Sequence, residues 1–416
     1  MASLEEIRIE RLKKLELLKS RGHNPYPAQA KRDLYLNEAA TKFDELIASG
    51  KEVNLVGRVM ALRGQGAIVF FDLFDGTGNF QAVIKSDEIN EEAFALFKDT
   101  VDIGDFINVL GAVFLTKREE KTVLVKKWTM LTKSLRPLPD QYYGLADEEE
   151  RLRRRYVDII VNKDVREMLD KRFRFWQTMR SFLLERGFVE VDTPVLENTT
   201  GGAEAKPFIT HHNALDIDVY LRISPELWLK RLMVAGFTKV FEIGRIFRNE
   251  GMSPEHLQDY TQMEFYWAYA DYNDGMNLTK EMYREIAEKT FGTTKFTIKG
   301  FDVDLAKDWE IYDYTETIKK MTGLDITDIK LEAVEAKLRE LGVDYDKQGF
   351  NLNRAIDTLW KYCRKQLAGP GFLVNVPVFM EPLAKRSDDK PEQVERFQVI
   401  LAGSEVGKGF SELNDP

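Results

Sequence analysis

The sequence predicts an α+β protein in which a small all-β domain precedes a larger domain of helices on an antiparallel sheet. Between residues 53 and 133, five short runs rich in β-branched and aromatic residues alternate with turn signals. From residue 164 onward, helical and strand patterns follow one another without the regular repeat of a parallel fold. With 416 residues and 44% hydrophobic content, the chain can form two or three domains.

Residues 1–52 are predicted to form an N-terminal helical segment. Within it, residues 3–21 predict an amphipathic helix that ends at Gly22. Its apolar positions fall near one side of that helix: Ile7, Leu12, Leu15 and Leu18. The opposite side is rich in Arg and Lys, which leaves two interpretations. It is either the solvated face of a helix packed on its own domain, or a basic surface that touches RNA phosphates.

Residues 53–133 suit a small barrel of the OB type, because the runs are short, five in number and separated by GQG, DGTG and KREEK. Barrels of this type often bind single-stranded nucleic acid by stacking its bases on aromatic side chains. Four phenylalanines are candidates for stacking or for the barrel core: Phe70, Phe71, Phe74 and Phe80. Residues 134–163 then read as a linker with two prolines, an acidic run and the basic RLRRR.

Composition excludes several classes of protein. A single cysteine, Cys363, rules out an internal disulfide framework and fits a reducing cytoplasm, and one cysteine with four histidines argues against a zinc site. The absence of a long apolar run argues against a membrane span, and the charged N-terminus argues against secretion. The net charge of −9 does not indicate a nucleic-acid partner, although an acidic protein can still carry a local basic patch.

The most informative segment is VFEIGRIFRNEGMSPEHLQDYTQMEFY, residues 240–266. Its flanks read as two strands joined by a polar loop, which predicts a hairpin. Residues two apart on a strand point the same way, so we expect Arg248 and Glu250 to share one face and Glu264 and Tyr266 another. A guanidinium fork suits a phosphate, and a carboxylate beside a hydroxyl suits an amine. The chain contains neither a GxxxxGK[ST] loop nor a GxGxxG fingerprint, so any ATP site would have to be built from a different structural element.

Taken in order, these segments and several others resemble the class II lysyl-tRNA synthetases over nearly the whole chain. The motifs that carry the resemblance are GHNPYP, LTKSLRPLP, GGAEAKPFITHHNALDIDVYLRISPELWLKRL, FEIGRIFRNEG, EFYWAYADY, MEPLAK and GFSELND. The resemblance implies that lysine is activated with ATP to lysyl-adenylate and transferred to the 3′ end of tRNA(Lys). It also implies Mg2+, a cytoplasmic homodimer, and a catalytic domain over residues 164–416 with a helical insertion at about residues 300–368.

The resemblance assigns the ATP site and the dimer interface. Arg248 corresponds to the catalytic arginine that holds the α-phosphate, where it would stabilise the charge that develops in the transition state. Glu250 and His256 correspond to positions that contact ATP, and Tyr260 to the aromatic that stacks on adenine. The family's first signature, around GFVEVDTPVL, builds the dimer interface, and its proline corresponds to Pro194.

The resemblance also assigns the lysine pocket. Glu226 corresponds to the carboxylate that takes the α-amino group, and Glu264, Tyr266 and Glu412 to the groups around the side-chain amine. Carboxylates offset the cost of burying an ammonium, and a site built this way rejects uncharged isosteres. Backbone at Gly202 is expected to close over the substrate.

In the barrel, Phe70 and Gln81 correspond to readers of the anticodon, and Arg58 is a further candidate on the same surface. Lys127 stands where relatives have a carboxylate that reads an anticodon base, which predicts altered recognition of that base.

The implied Mg2+ site includes Glu405, but Gln398 replaces the second carboxylate of the family pattern. An amide should weaken one metal contact, because magnesium prefers carboxylate and phosphate oxygens. Lys408 stands where an asparagine often holds the α-carboxylate of lysine. The third family signature, a glycine-rich strand and a helix ending in an ATP-binding arginine, does not occur before Pro416. From this apparent truncation we expect the chain as written to react poorly with ATP and to expose a sheet edge.

Two alternatives to lysine activation remain at this level. An aspartyl- or asparaginyl-tRNA synthetase shares the barrel and the second signature, but Glu226, Glu264 and Glu412 would repel aspartate. A non-catalytic RNA-binding module would explain Gln398 and the missing third signature, but not the presence of Arg248 and the three acids. A relative of this family that lysylates a protein instead of tRNA normally lacks the barrel, so the predicted barrel argues against that alternative.

Overall fold

The computed structural model describes residues 3–64, 66–139, 145, 147–251, 256–345 and 349–414. Parts of the predicted linker (140–144 and 146) and of the predicted hairpin loop (252–255) lie outside the described residues. The chain forms two compact units, residues 1–166 and 167–416, and each is described by itself. No helix within the described ranges has the length and apolar character needed to cross a membrane.

The first unit is built around a closed five-stranded barrel, as predicted. Its strands are β1 (Val53–Arg63), β2 (Ile68–Phe74), β3 (Asn79–Lys85), β4 (Phe106–Leu115) and β5 (Lys121–Thr132), joined in the order β1-β2-β3-β5-β4. The helices of this unit are α1 (Leu4–Ser20), α2 (Leu36–Thr41), α3 (Phe43–Ser49), α4 (Glu91–Thr100), α5 (Glu148–Arg153) and α6 (Arg155–Val161). Helix α7 (Lys163–Glu185) crosses the boundary between the units.

The N-terminal helices share the core of the barrel. Leu18 of α1, Leu36 of α2 and Phe43 of α3 are buried in one cluster with the inward residues of the strands. Arg11, on the same helix as Leu18, is also buried, and its guanidinium donates hydrogen bonds to the carbonyl oxygens of Ile103, Ser134 and Arg136. Helix α1 therefore packs one stripe on its own unit, which is the first of the two interpretations that the sequence allowed.

The second unit contains two main sheets, and both are mixed rather than purely antiparallel. Its strands are β6 (Val189–Glu190), β7 (Leu196–Glu197), β8 (Ile209–His212), β9 (Ile217–Leu221), β10 (Lys239–Phe247), β11 (Asp259–Trp267), β12 (Lys295–Ile298), β13 (Phe301–Asp304), β14 (Glu310–Asp313), β15 (Gly371–Val374), β16 (Val376–Pro377), β17 (Gln393–Val394), β18 (Arg396–Leu401) and β19 (Ser404–Phe410). The sheets run β11-β10-β6 and β14-β15-β18-β19, and the β6–β10 and β14–β15 pairs are parallel.

Helices cover these sheets, so the prediction of an α+β fold is confirmed. They are α8 (Glu226–Val234), α9 (Tyr272–Phe291), α10 (Tyr314–Thr322), α11 (Leu331–Glu340) and α12 (Leu352–Arg364), with a 3₁₀ turn at Val378–Met380. Helices α7 and α9 pack on the β11-β10-β6 sheet. Helices α10, α11 and α12 form the predicted helix-rich segment and cover one face of the other sheet.

Candidate functional site

The hairpin of β10 and β11 carries most of the candidate site. The two strands pair antiparallel from Lys239↔Trp267 to Phe247↔Asp259, close to the predicted bounds. Successive side chains of β11 alternate between two environments. One face packs into the core between α7 and α9: Met263, Phe265 and Trp267. The other face carries the polar side chains of the candidate site: Tyr260, Gln262, Glu264 and Tyr266.

The prediction for Arg248 and Glu250 is wrong in one respect, because strand β10 ends at Phe247. The two residues lie in a turn, in which the N–H of Glu250 donates to the carbonyl of Arg248 at 3.0 Å. The guanidinium of Arg248 lies 5.8 Å from the ring centre of Tyr260, and its Nε donates to the carbonyl of Ile223 at 3.3 Å. Arg248 and Tyr260 are thus brought together, whereas Glu250 and His256 are exposed in the loop.

A buried ion pair anchors strand β10 of the hairpin, and no pattern in the sequence predicts it. Nη1 of Arg222 lies 2.5 Å from Oε1 of Glu242, whose other oxygen accepts a hydrogen bond from the hydroxyl of Thr193 at 2.6 Å. Glu242 is the register partner of Glu264. Gly244 makes room for this pair, since a Cβ there would lie 2.2 Å from Nη2 of Arg222. Satisfied buried pairs of this kind fix local geometry.

Glu264 lies in an environment that disfavours its charge. Burial, together with the nearby charge of Glu226, raises the pKa of Glu264 to about 7. Hydrogen bonds from Ser224 and Gln262 and the charge of Arg248 act in the opposite direction but do not outweigh burial. Oε1 of Glu264 accepts a hydrogen bond from the hydroxyl of Ser224 at 2.8 Å and another from the amide of Gln262. Glu264 is therefore close to half protonated at neutral pH in the ligand-free protein.

Tyr266 marks the point on which the acids converge. Burial raises its pKa, and the charges of Glu226, Glu264 and Glu412 raise it further. Those three carboxyl groups come from α8, β11 and the segment after β19, so they meet only in the folded chain. The predicted lysine-pocket side chains thus lie together around one hydroxyl.

Two further residues complete this pocket, and only one of them was expected. Gly202 has a φ of +83°, and a Cβ there would lie 2.7 Å from Cβ of Glu226, so its backbone lies directly against the acid. Lys230 was not expected: its Nζ lies 2.7 Å from Oε1 of Glu226 and 3.1 Å from Oε2 of Glu412. The spacing ELWLK signals the first of these contacts, because residues four apart are neighbours on a helix.

The predicted metal position offers few oxygen ligands. Gln398 faces Lys408 across the β18–β19 pair, and Oε1 of Gln398 is buried without a hydrogen-bond partner in the described part of the chain. Glu405 lies 3.5 Å from the guanidinium of Arg364. No group of three or more Asp, Glu, His or Cys side chains suited to a metal ion occurs among the described residues. One carboxylate and one amide oxygen fit Mg2+ only if phosphates or waters supply its other ligands.

In the barrel, the predicted anticodon-binding residues lie on the outer face of three neighbouring strands. Phe71 and Phe80 fill the core, while Phe70 is half-buried on the opposite face of β2. Oε1 of Gln81 on β3 accepts a hydrogen bond from Thr122 at 2.9 Å, and its amide NH2 group makes no hydrogen bond within the described residues.

Arg58 and Lys127, the other two barrel positions singled out in the sequence, have different surroundings. The guanidinium of Arg58 stacks 4.5 Å from the ring centre of Phe106, and the register partner of Phe70 is Arg63. Arg63 was not anticipated, and it is held by two 2.8 Å hydrogen bonds to Asp72. Lys127 is exposed on β5 next to a bulge.

Comparisons with known proteins match both units. The family model described as class II tRNA synthetases (D, K and N) matches residues 147–416, and the model described as an OB-fold nucleic acid binding domain matches residues 53–131. The chain is 43% identical to a lysine–tRNA ligase of Thermotoga maritima over 99% of its own length and 83% of that relative. Similar values hold for lysine–tRNA ligases of Roseiflexus sp. strain RS-1 (41%, covering 99% and 85%) and Carboxydothermus hydrogenoformans (42%, covering 99% and 84%).

Proposed function

The chain belongs to the class II tRNA synthetases of the D, K and N group, and we propose that its acidic pocket around Tyr266 selects lysine for attachment to tRNA(Lys). Aminoacylation of tRNA(Lys) with lysine in translation is the function that its family and relatives support. The observation that carries the pocket assignment is that Glu226 and Glu412 lie on either side of Lys230, and that their charges and that of Glu264 all act on the half-buried Tyr266. Such a pocket suits a substrate with two amines and repels the side chain of aspartate.

Lysine is held by its two amines. Glu226 accepts the α-amino group, and Glu264, Tyr266 and Glu412 surround the side-chain ammonium. Binding the ammonium favours the ionised form of Glu264, whose pKa of about 7 leaves it partly protonated beforehand. The backbone at Gly202, next to Glu226, closes over the α-amino end.

ATP binds against Arg248 and Tyr260, which are adjacent in the structure. The ring of Tyr260 stacks on adenine, and Glu250 and His256 contact the nucleotide. A carboxylate oxygen of lysine attacks the α-phosphorus, the bond to the β-phosphate oxygen breaks, and pyrophosphate leaves. The Arg248 guanidinium stabilises the charge that develops on the α-phosphate.

The second step uses the same pocket. A hydroxyl of the terminal ribose of tRNA attacks the carbonyl carbon of lysyl-adenylate. AMP leaves with the bonding electron pair, and its phosphate takes up the hydroxyl proton. Glu226 and Glu264 keep the lysyl group in place throughout, because neither amine takes part in the transfer. Orientation of this kind contributes to the rate by removing the entropy cost of encounter.

Glu405 and Oε1 of Gln398, which has no hydrogen-bond partner among the described residues, are the side-chain oxygens that would hold Mg2+. The ion would neutralise phosphate charge on the nucleotide. Because two protein oxygens are few for Mg2+, phosphate oxygens and water would have to supply its other ligands.

A homodimer is supported by exposed apolar surface around the first signature. Val189, Val195 and Leu196 flank Pro194 and are all more than a third exposed. Contiguous exposed apolar residues are typical of surfaces that another protein covers. We place this function in the cytoplasm, since a chain whose single cysteine is the buried Cys363 has no internal disulfide to maintain.

Replacing Phe70 with alanine is expected to raise the KM for tRNA about tenfold or more, because base stacking on an aromatic contributes ~1–3 kcal/mol. Lysine-dependent ATP–pyrophosphate exchange should remain unchanged. Phe71→Ala is the matched control: its ring is fully buried, so it should lower stability by about 3–5 kcal/mol. A loss of pyrophosphate exchange in Phe70→Ala would mean that this ring supports the fold instead.

The test of the substrate assignment is thermal unfolding with non-hydrolysable lysyl-, aspartyl- and asparaginyl-adenylate analogues. A ligand that binds only the folded protein stabilises it by about 2.7 kcal/mol at 100 times its Kd. We expect an increase in Tm with the lysyl analogue alone. An increase with the aspartyl or asparaginyl analogue would overturn the lysine assignment, and no increase with any of them would favour a non-catalytic RNA-binding module.

A further inference from the structure

Lys230 lies inside the candidate lysine pocket, and no step of the proposed reaction uses it. Its ammonium bridges Glu226, one helical turn earlier on α8, and Glu412, which follows β19. The two contacts differ in kind. The first is local to one helix, whereas the second joins segments that are distant in the chain and contribute separate walls of the pocket.

The bridge leaves the substrate side of both acids available. Lys230 uses Oε1 of Glu226 and Oε2 of Glu412. The other oxygen of each carboxylate accepts no hydrogen bond from any described residue. Since an ionised carboxylate accepts at both oxygens, each acid can hold Lys230 and a substrate amine at the same time.

The charges around the bridge explain why a cation is needed there. Glu226, Glu264 and Glu412 all act on the hydroxyl of Tyr266, so they also repel one another. Burial raises the pKa of Glu412, while the charge and hydrogen bond of Lys230 lower it. Burial opposes the charged form of Lys230, but Glu226 and Glu412 outweigh it and raise the pKa of Lys230. Lys230 therefore remains an ammonium at neutral pH.

We propose that Lys230 is a positioning residue for lysine selection, which ties Glu226 to Glu412 and keeps both carboxylates directed at the two amines of the substrate. This assignment rests on the proposed function, because it presupposes that these acids bind lysine. The opposite role is an internal competitor, in which Lys230 must leave before the substrate amine can enter. The free oxygen on each acid favours positioning.

The test is Lys230→Met, which keeps the length of the side chain and removes its charge. Calorimetric titration with the lysyl-adenylate analogue between pH 6 and 9 should give affinity about tenfold weaker at pH 8, as expected for loss of a part-buried charge partner. On acidification the loss of affinity should begin at a higher pH than in the wild type, because Glu412 loses the cation that favours its ionised form. Affinity for ATP alone should stay the same.

Two further variants separate charge from folding. Lys230→Arg retains a cation and should recover most of the affinity and the wild-type pH profile. Lys289→Met removes the lysine of a matched Glu–Lys pair on α9, Glu285 with Lys289 at 2.6 Å, and should bind the analogue like the wild type.

The outcomes are separable. Unchanged affinity and an unchanged pH profile in Lys230→Met would overturn the positioning role, and tighter binding would replace it with the competitor role. If the wild-type protein itself fails to bind the lysyl analogue, the proposed function fails first and the assignment of Lys230 falls with it.

Discussion

Replacing Glu264 with glutamine is expected to abolish lysine recognition while making the ligand-free protein more stable at alkaline pH. The variant loses the charge that pairs with a buried ammonium, and leaving such a charge unpaired costs about 3–5 kcal/mol, or roughly 10²–10⁴-fold in affinity. A glutamine keeps an oxygen for the hydroxyl of Ser224, so the local hydrogen bond survives. ATP binding should change far less than lysine binding.

The gain in stability follows from the raised pKa of Glu264, about 7 in the folded protein against 4.5 as the ordinary value. Below pH 4.5 the carboxyl is protonated in both the folded and the unfolded chain, and its burial costs little. As the pH rises toward 7 the unfolded chain ionises first, so stability falls. Above pH 7 the folded protein bears the full cost of a buried carboxylate, about 3 kcal/mol.

The measurement is thermal unfolding and lysine binding of Glu264→Gln across pH 4.5 to 8.5. Its Tm should exceed that of the wild type at pH 8.5 and match it at pH 4.5, and wild-type affinity for lysine should rise through pH 7. Glu197→Gln is a matched control, since burial raises the pKa of that carboxyl as well, and it should retain lysine binding. Equal losses of lysine and ATP binding in Glu264→Gln would contradict the pocket assignment.

Replacing Arg248 with alanine should lower the rate of lysine-dependent ATP–pyrophosphate exchange by about 10²–10³-fold, the usual effect of removing one donor to developing charge. Lysine binding in the absence of ATP should be nearly unchanged. Arg248→Lys should recover only part of the rate, because an ammonium retains the charge but not the planar fork.

Arg245 provides the control for Arg248. It lies three residues earlier on β10 and forms an exposed ion pair with Asp259 at 3.1 Å. Surface pairs of this kind contribute little, so Arg245→Ala should leave pyrophosphate exchange close to wild type. If both arginine variants lost exchange equally, the hairpin fold rather than the Arg248 guanidinium would be responsible.

The elements of this fold are encoded locally, and most of them could be predicted. Alternating β-branched and aromatic residues predict the barrel strands and the β10–β11 hairpin. The polar spacing on β11 predicts that Glu264 and Tyr266 share a face. The orientation of Arg248 and Glu250 could not be predicted as well, because the alternation of a strand does not extend past Phe247, where β10 ends and the chain turns.

Contacts between distant segments account for what the sequence did not reveal. The Arg222–Glu242 pair and the contact of Lys230 with Glu412 join residues whose proximity depends on how helices and strands pack. A charged residue in an amphipathic pattern is typical of a solvated face, but Arg11 of α1 is buried. Periodicity locates the elements, but it does not identify which charges meet between them.

Along strand β11, positions where substitution is constrained by core packing alternate with positions where substitution can change the pocket. Its odd positions, such as Met263 and Phe265, belong to the core, and its even positions, such as Glu264 and Tyr266, line the proposed substrate pocket. Substitution at even positions can change the preferred amino acid while the packing of α7 and α9 is retained. A single-residue insertion would instead exchange the two sets, because the side-chain period of a strand is two. Substrate preference in this scaffold can therefore diverge by substitution, whereas the length of the strand is constrained.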